Sequence, residues 1–293
     1  MRKKLAFVGF SLVLIISLAG AANPPAENPF VFDPNKLDTG DVYLYYFSGN
    51  PEEFEPRTLV YYYYKALSGP YLDIEEAFVR VNREKSEYLC TYRINLDQMM
   101  LERSTFQYLL DKSSISPNTT YQAETTVDFA KKRLTYDVLN RTEKGFQRYY
   151  KTVKYKIIPT FSYGTYHVDG WTVMRFYPYP EKRIQVGEIN SSLFYVDADV
   201  EYLGRETVEV PYGKIDCHKF EITGRGLLAR LYGKKAWVWM SAEDERNYMV
   251  KYRNDNPRSA FEPVVEMRLV DIRKMTPEEW AGLFVTVEKA GEN

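Results

Sequence analysis

The sequence predicts a mainly all-β protein: a large curved antiparallel sheet, or half-barrel, with a short C-terminal helix. Three observations lead there. Segments in which apolar and polar residues alternate with a period of two follow one another closely, as half-buried strands do. No strand–helix alternation of the kind that builds parallel sheets interrupts them. The chain also carries 26 Tyr and 16 Phe in 293 residues, side chains that suit a pleated, half-buried surface.

Arg2, Lys3 and Lys4 open a basic run, residues 5–18 are apolar apart from Gly and Ser, and Ala19-Gly20-Ala21-Ala22 places small residues at signal-peptidase spacing. This order predicts a signal peptide over 1–22, cut after Ala21 or Ala22, and export to the periplasm or cell envelope. The apolar run falls short of the roughly 20 residues of a spanning helix, and no later segment approaches that length, so no transmembrane segment is expected after cleavage. Leu18-Ala19-Gly20 would open a lipoprotein box, but Ala21 stands where the acylated Cys must be, so no lipidation is expected at this boundary. Residues 23–40, rich in Pro and Asn, read as an extended lead-in. A single antiparallel β domain is expected over 41–275, and a short helix and tail over 276–293.

Within the β domain, residues 42–47 and 59–64 are Tyr-rich strands separated by a Gly/Pro-containing loop. Ala77, Val79 and Val81 share one face, and Tyr88, Cys90, Tyr92 and Ile94 share a face of the next strand. Residues 98–110 fit a helix and a long strand equally. A hairpin is expected from 125–129 to 133–138, then a long Tyr- and Lys-rich strand over 145–158, then an irregular or partly helical stretch over 159–179. The clearest strand covers 194–202, with Ala198, Val200 and Tyr202 opposite Asp197, Asp199 and Glu201. Strands over 206–210, 214–223, 236–241, 249–252 and 264–272 follow. Thr276-Pro277-Glu278-Glu279 is a capping box with Pro at the first helical position.

Chemistry is sparse. Net charge is −1, which with export argues against a nucleic-acid partner. Gly224–Ala229 spells G-x-G-x-x-A, but a dinucleotide site needs a following helix and parallel strand, and a glycine-bearing β connection fits better; no cofactor is expected. Asp197, Asp199 and Glu201 on a flat strand face are too spread for Ca²⁺, which wants six to eight oxygens, and read as a solvated face; no metal is expected. His167 and His218 have no neighbour at ligand spacing, and in Asp216-Cys217-His218 the thiol points away from both neighbours. No catalytic residue is assigned, so no enzyme is expected. Export leaves open a disulfide between Cys90 and Cys217; two buried thiols are the plainer reading. Residues 148–156 interleave Tyr and Lys, chemistry that meets glycans or anionic headgroups, or simply water. In the strand 236–241, Ala236, Val238 and Met240 face one way and Trp237 and Trp239 the other. A strand apolar on both faces must be covered twice: the second cover is core, the C-terminal helix, or a ligand, for which Trp237 and Trp239 are the candidate binding residues.

Residues 204–219 read G-x-E-x-V-x-x-P-x-G-x-I-x-C-x-K, followed by Trp237-Val238-Trp239-Met240-Ser241 and Asp244-Glu245-Arg246; upstream, Val127-Asp128-Phe129 is followed by Arg133-Leu134-Thr135. Over 41–273 this resembles an exported bacterial envelope family catalogued as a domain of unknown function, thought similar in shape to half-barrel lipoprotein carriers of the LolA/LolB type. The resemblance implies no catalytic residues, and a fold-level likeness does not fix function. The leading expectation is a non-catalytic envelope protein binding a hydrophobic or amphipathic component, a lipid or lipoprotein-like ligand. The alternatives are a carbohydrate-binding or carbohydrate-active protein and an outer-membrane β-barrel. The barrel is disfavoured because the acidic row would have to face a lumen.

Overall fold

A computed structural model describes residues 32–48, 58–110, 112, 115–117, 119–154, 160–162, 170–177, 183–189, 195–225, 235–255 and 265–285. The expected signal peptide, most of the lead-in, residues 226–229 of the glycine motif, His167 and the C-terminal tail lie outside the described residues.

The chain adopts the expected architecture, a large curved antiparallel sheet with a short C-terminal helix. The strands are β1 (Asp41–Ser48), β2 (Thr58–Ser68), β3 (Tyr71–Arg80), β4 (Tyr88–Asn95), β5 (Met100–Tyr108), β6 (Thr119–Asp128), β7 (Arg133–Thr142) and β8 (Gly145–Lys154), then β9 (Thr160–Ser162), β10 (Arg183–Ile189), β11 (Tyr195–Val210), β12 (Gly213–Gly224), β13 (Lys235–Ser241), β14 (Met249–Asp255) and β15 (Val265–Lys274). They form one 15-stranded sheet in the order β4-β3-β2-β1-β15-β14-β13-β12-β11-β10-β9-β5-β6-β7-β8, with β4 also paired to β5. The sheet thus curls back on itself, but the junction is thin. Three-residue β9 runs parallel to β10, and its pairing with β5 is the single position Met100–Thr160. Strands β6 to β8 continue the order from β5, and β6 and β7 add Ala123, Val127, Leu134, Tyr136 and Val138 to the main buried cluster.

Alternation sets which side is inside. Tyr43 and Tyr45 of β1, Val60 and Tyr62 of β2, Leu72 and Ile74 of β3 and Tyr92 and Ile94 of β4 are buried in one cluster that extends to Val200, Phe220, Val238 and Tyr252. The opposite face carries ion pairs between neighbouring strands: Lys65–Glu75, Arg93–Asp73, Arg183–Asp199 and Lys235–Glu221.

The ambiguous stretch 98–110 is the strand β5, whose Leu101, Ser104 and Phe106 are buried. Val81, expected beside Ala77 and Val79, is 54% exposed because β3 stops at Arg80. The two strands expected over 194–202 and 206–210 are one, β11, whose register shifts between Tyr202 and Gly204. Gly204 takes φ +115 there, a conformation that costs glycine little. The ladder therefore bends at a bulge instead of ending.

Two short α-helices, α1 (Gly170–Met174) and α2 (Pro277–Gly282), and a single 3-10 turn at Pro34–Lys36 complete the described fold. The capping box of α2 forms as read: Glu279 N–H donates to Thr276 Oγ1 at 3.2 Å, and Thr276 N–H donates to Glu279 Oε2 at 2.7 Å. Its Trp280 is buried on the outer side of β1–β3 among Val42, Leu44, Tyr61 and Tyr63, with ring centroids 5.0 Å from Tyr63 and its indole N–H on Glu75 at 2.5 Å. The helix caps an apolar patch that the sheet leaves outside its own core. Burial of one large side chain of this kind is worth about 1.5–3 kcal/mol.

Candidate functional site

The inner face of the sheet is the candidate site, and what distinguishes it is a guest that is not a strand. Residues 172–177, which include the end of α1, are all buried. Val173, Met174, Phe176 and Tyr177 join the main core; Tyr177 stacks at 4.6 Å on Phe220 of β12 and Phe176 at 5.5 Å on Phe32. A sheet curved this widely does not fill its own centre with strand side chains, so a chain segment lies in it.

Arg175, 2% exposed, is the polar centre of that segment. Its guanidinium carbon lies 4.5 Å from the ring centres of both Tyr43 and Tyr64, a cation over two rings that meet edge to face at 5.4 Å. It donates to the Lys36 carbonyl at 3.2 Å and to Tyr43 Oη at 3.3 Å. Its own carbonyl accepts from Lys36 Nζ at 3.1 Å and Asn247 Nδ2 at 3.0 Å. Tyr43 Oη in turn lies 3.4 Å from Asp41, which also holds Arg246 and Lys274. Burial pushes the Tyr43 hydroxyl up, an effect the Arg175 charge partly opposes. Burial also works against the Arg175 charge, but the tyrosines around it outweigh this and its pKa rises above the ordinary value; it stays charged. Tyr64 Oη meets Thr172 Oγ1 at 3.1 Å, the other end of the same segment. A second polar island lies on β3 and β4, where Glu76 is wholly buried and accepts from Tyr92 Oη beside Cys90. The inner face is therefore apolar and aromatic with two buried polar positions, Arg175 and Glu76.

Trp237 and Trp239 lie on the other side. In register they stand between Glu221 and Arg253 and between Lys219 and Lys251. The row continues through Arg268 to Tyr46, on the face that carries Val42, Leu44 and α2. Helix α2 covers β1–β3, not the tryptophans. Charged side chains contact them: Lys219 and Lys251 each sit 5.1 Å from the Trp239 ring centre, the Trp239 indole N–H donates to Glu206, and that of Trp237 donates to Glu221 at 3.2 Å. Trp239 is 6% exposed and Trp237 half-buried. Sequence reasoning weighed core, helix or ligand as their second cover. Trp239 belongs to the main buried cluster, with Val208, Val210 and Ile215 of the β11–β12 hairpin, and Trp237 packs against that cluster; lysine stems from the adjacent strands add to this cover at the Trp239 ring.

Cys90 and Cys217, weighed above as a disulfide, are both free and buried. Cys90 faces inward on β4, whereas Cys217 alternates with Lys219 on β12 and so shares the tryptophans' face. Burial raises both thiols, that of Cys217 to about 12, so neither forms a thiolate nucleophile near neutral pH. His218 Nδ1 lies 3.1 Å from Tyr202 Oη. Burial first, then Arg205 and Lys36, lower its pKa and keep the ring neutral. It borders a polar cleft of about 320 Å³ with Lys36, Ser241, Asp244 and Asn247. Among the described residues no group of three or more His, Cys, Asp and Glu side chains is arranged to hold a metal ion. Of the acidic row, Asp199 pairs with Arg183 at 2.5 Å and Glu201 is exposed. Sequence reasoning missed Arg175 because nothing local marks a buried arginine; its segment read only as irregular.

No protein-family model matches the chain, and no curated protein matches it. Three solved structures resemble it distantly. A protein described as exported, with a YmcC-like fold, from Bacteroides fragilis is 11% identical; the match covers 84% of this chain and 100% of that one at a TM-score of 0.35. A β-barrel-like protein of the domain of unknown function DUF1849 from Brucella abortus is 9% identical over 80% of this chain and 96% of that one, with a TM-score of 0.44. The hypothetical lipoprotein YmcC from Escherichia coli is 7% identical over 82% and 88%, with a TM-score of 0.28.

Proposed function

We propose that this chain is a non-catalytic protein of the periplasm or cell envelope that binds a hydrophobic or amphipathic component, lipid or lipoprotein-like, on the inner face of its sheet. The observation that carries this reading is the buried segment 172–177: the inner face already accommodates a non-strand guest with an apolar body and one charged, hydrogen-bonding group. A lipid has the same division. It would share or take over the surface formed by Tyr177, Phe176 and Phe220, with its polar end near Arg175. The ion-paired outer face supports this reading over an outer-membrane barrel, which turns apolar residues outward to lipid.

The test is titration of the mature protein with an environment-sensitive fluorescent fatty acid. Saturable binding is expected. Tyr177→Ala should change the affinity several-fold, because it alters the guest surface, while Trp237→Ala on the opposite face should leave it unchanged. Absence of saturable binding in the parent and in both variants overturns the proposal. The carbohydrate reading has one observation in its favour: half-buried Trp237 stands beside Glu221 and Arg253 in register, an aromatic with polar flanks. If Trp237→Ala abolishes binding of an oligosaccharide and no fatty acid binds, that reading replaces the first.

A further inference from the structure

The sheet has one strand end that its own curl leaves unpaired. At the other end of the order β4 closes onto β5, but β8 pairs with β7 and, among the described strands, with nothing else. Proteins blunt such an edge by keeping it short, bulged, proline-bearing or lysine-bearing. β8 uses the last of these alone: it runs ten residues, Gly145–Lys154, in register with β7 without a shift, and contains Lys151 and Lys154 but no Pro. Gln147, Arg148, Tyr149, Tyr150, Thr152 and Lys154 are exposed, and the two tyrosines, at 46% and 66%, are among the most exposed large side chains of the described chain. Being adjacent, they point to opposite faces, so both sides of the edge present an aromatic ring.

The charges select what pairs there. Lys144, Lys151 and Lys154 follow one another along the strand and its turn, Lys144 and Lys154 exposed and Lys151 half-buried, and Arg148 donates to Asp137 at 2.6 Å. Two copies of β8 brought edge to edge would set basic residues against basic residues, and directly opposed like charges destabilise a strand pair. The lysines therefore disfavour a second copy of this chain. They favour a strand that carries carboxylates. We infer that the free edge of β8 is a docking site for an extended acidic segment of a partner polypeptide, added as a further antiparallel or parallel strand. Main-chain hydrogen bonds would give the affinity, and the alternating Tyr and Lys side chains would set the preference for acidic residues. This surface is separate from the inner face and does not depend on how that face is read.

The experiment measures fluorescence anisotropy of labelled ten-residue peptides titrated with the full mature chain. The probes are a peptide of alternating Val and Glu, its Val and Lys counterpart, and the acidic peptide N-methylated at alternate residues, which removes its ladder donors. Saturable binding of the acidic peptide is expected, with at least tenfold weaker binding of the other two. The variant Lys151→Glu/Lys154→Glu should lose at least tenfold for the acidic peptide with its thermal unfolding unchanged. Equal binding of the N-methylated peptide would mean charge attraction without strand addition and overturns the proposal. So does capture of phosphatidylglycerol vesicles without acidic-peptide binding, which would make the edge a membrane contact. A concentration-dependent dimer abolished by the same double variant, or no binding of any peptide, overturns it equally.

Discussion

Replacing Trp239 by Ala separates the structural account of the tryptophan face from a ligand-binding one. The indole is 6% exposed, so its removal is a large-to-small change in a packed site, worth about 3–5 kcal/mol. The lost hydrogen bond to Glu206 adds little, since that carboxylate is exposed and rehydrates. The two lysine contacts add about 0.5–1 kcal/mol each at a solvated site. The expected total is about 4–7 kcal/mol, a large part of the 5–15 kcal/mol by which domains are typically stable. Trp237, half-buried with one hydrogen bond to Glu221, should cost roughly half as much when truncated. Urea unfolding of parent and variants measures both, with the denaturant slope required to stay constant so that the midpoints report stability. Fatty-acid probe affinity, measured on the same samples under conditions where each remains folded, should not move. A loss below about 1.5 kcal/mol for Trp239→Ala, or a smaller loss there than for Trp237→Ala, would refute the reasoning that lysines and glutamates make this face structural.

Other expectations follow from the same structure. Alkylation of the native protein should label neither Cys90 nor Cys217, and alkylation after denaturation without reductant should label both, as mass spectrometry would show; protection after denaturation would mean a disulfide. Thr276→Ala removes one half of the α2 capping box and should cost about 1 kcal/mol in unfolding. Asp244 has its carboxyl held below the usual range, first by hydrogen bonds from Arg246; its contribution to stability is present above the ordinary carboxylate pKa and is lost as pH falls through the lowered one, so Arg246→Met should flatten the acid limb of a stability-versus-pH curve. Gly204→Ala meets no neighbouring atom within 4 Å, so any loss it causes comes from backbone strain at φ +115 and should appear as about 1 kcal/mol or more by urea unfolding.

Much of the fold was legible because its signals are local. Period-two alternation located β3, β4, β12 and β13 and grouped Tyr88, Cys90, Tyr92 and Ile94 of β4 on one buried face, and the capping box located the start of α2. One boundary was misplaced and one element was left open where local rules have two outcomes. A glycine in a strand either ends it or lets it bulge, and at Gly204 the pairing with β12 continued. The residues around β5 have both helical and strand periodicity, and the edges of β4 and β6 settled the matter.

The candidate site was less legible, because long-range contacts make it. The sequence by itself determined that the chain is mainly β, that its strands have one apolar face, and that Trp237 and Trp239 share a face opposite Val238 and Met240. These follow from the pleat, which is a property of each strand alone. Only the tertiary structure decided which face is inside, that Arg175 from an irregular segment sits over Tyr43 and Tyr64, that Lys219 and Lys251 cover Trp239, and that β8 is left without a second neighbour. Each joins residues far apart in the chain or depends on the order in which strands pair. That order follows from burying the whole apolar surface at once, and no stretch of sequence carries it alone.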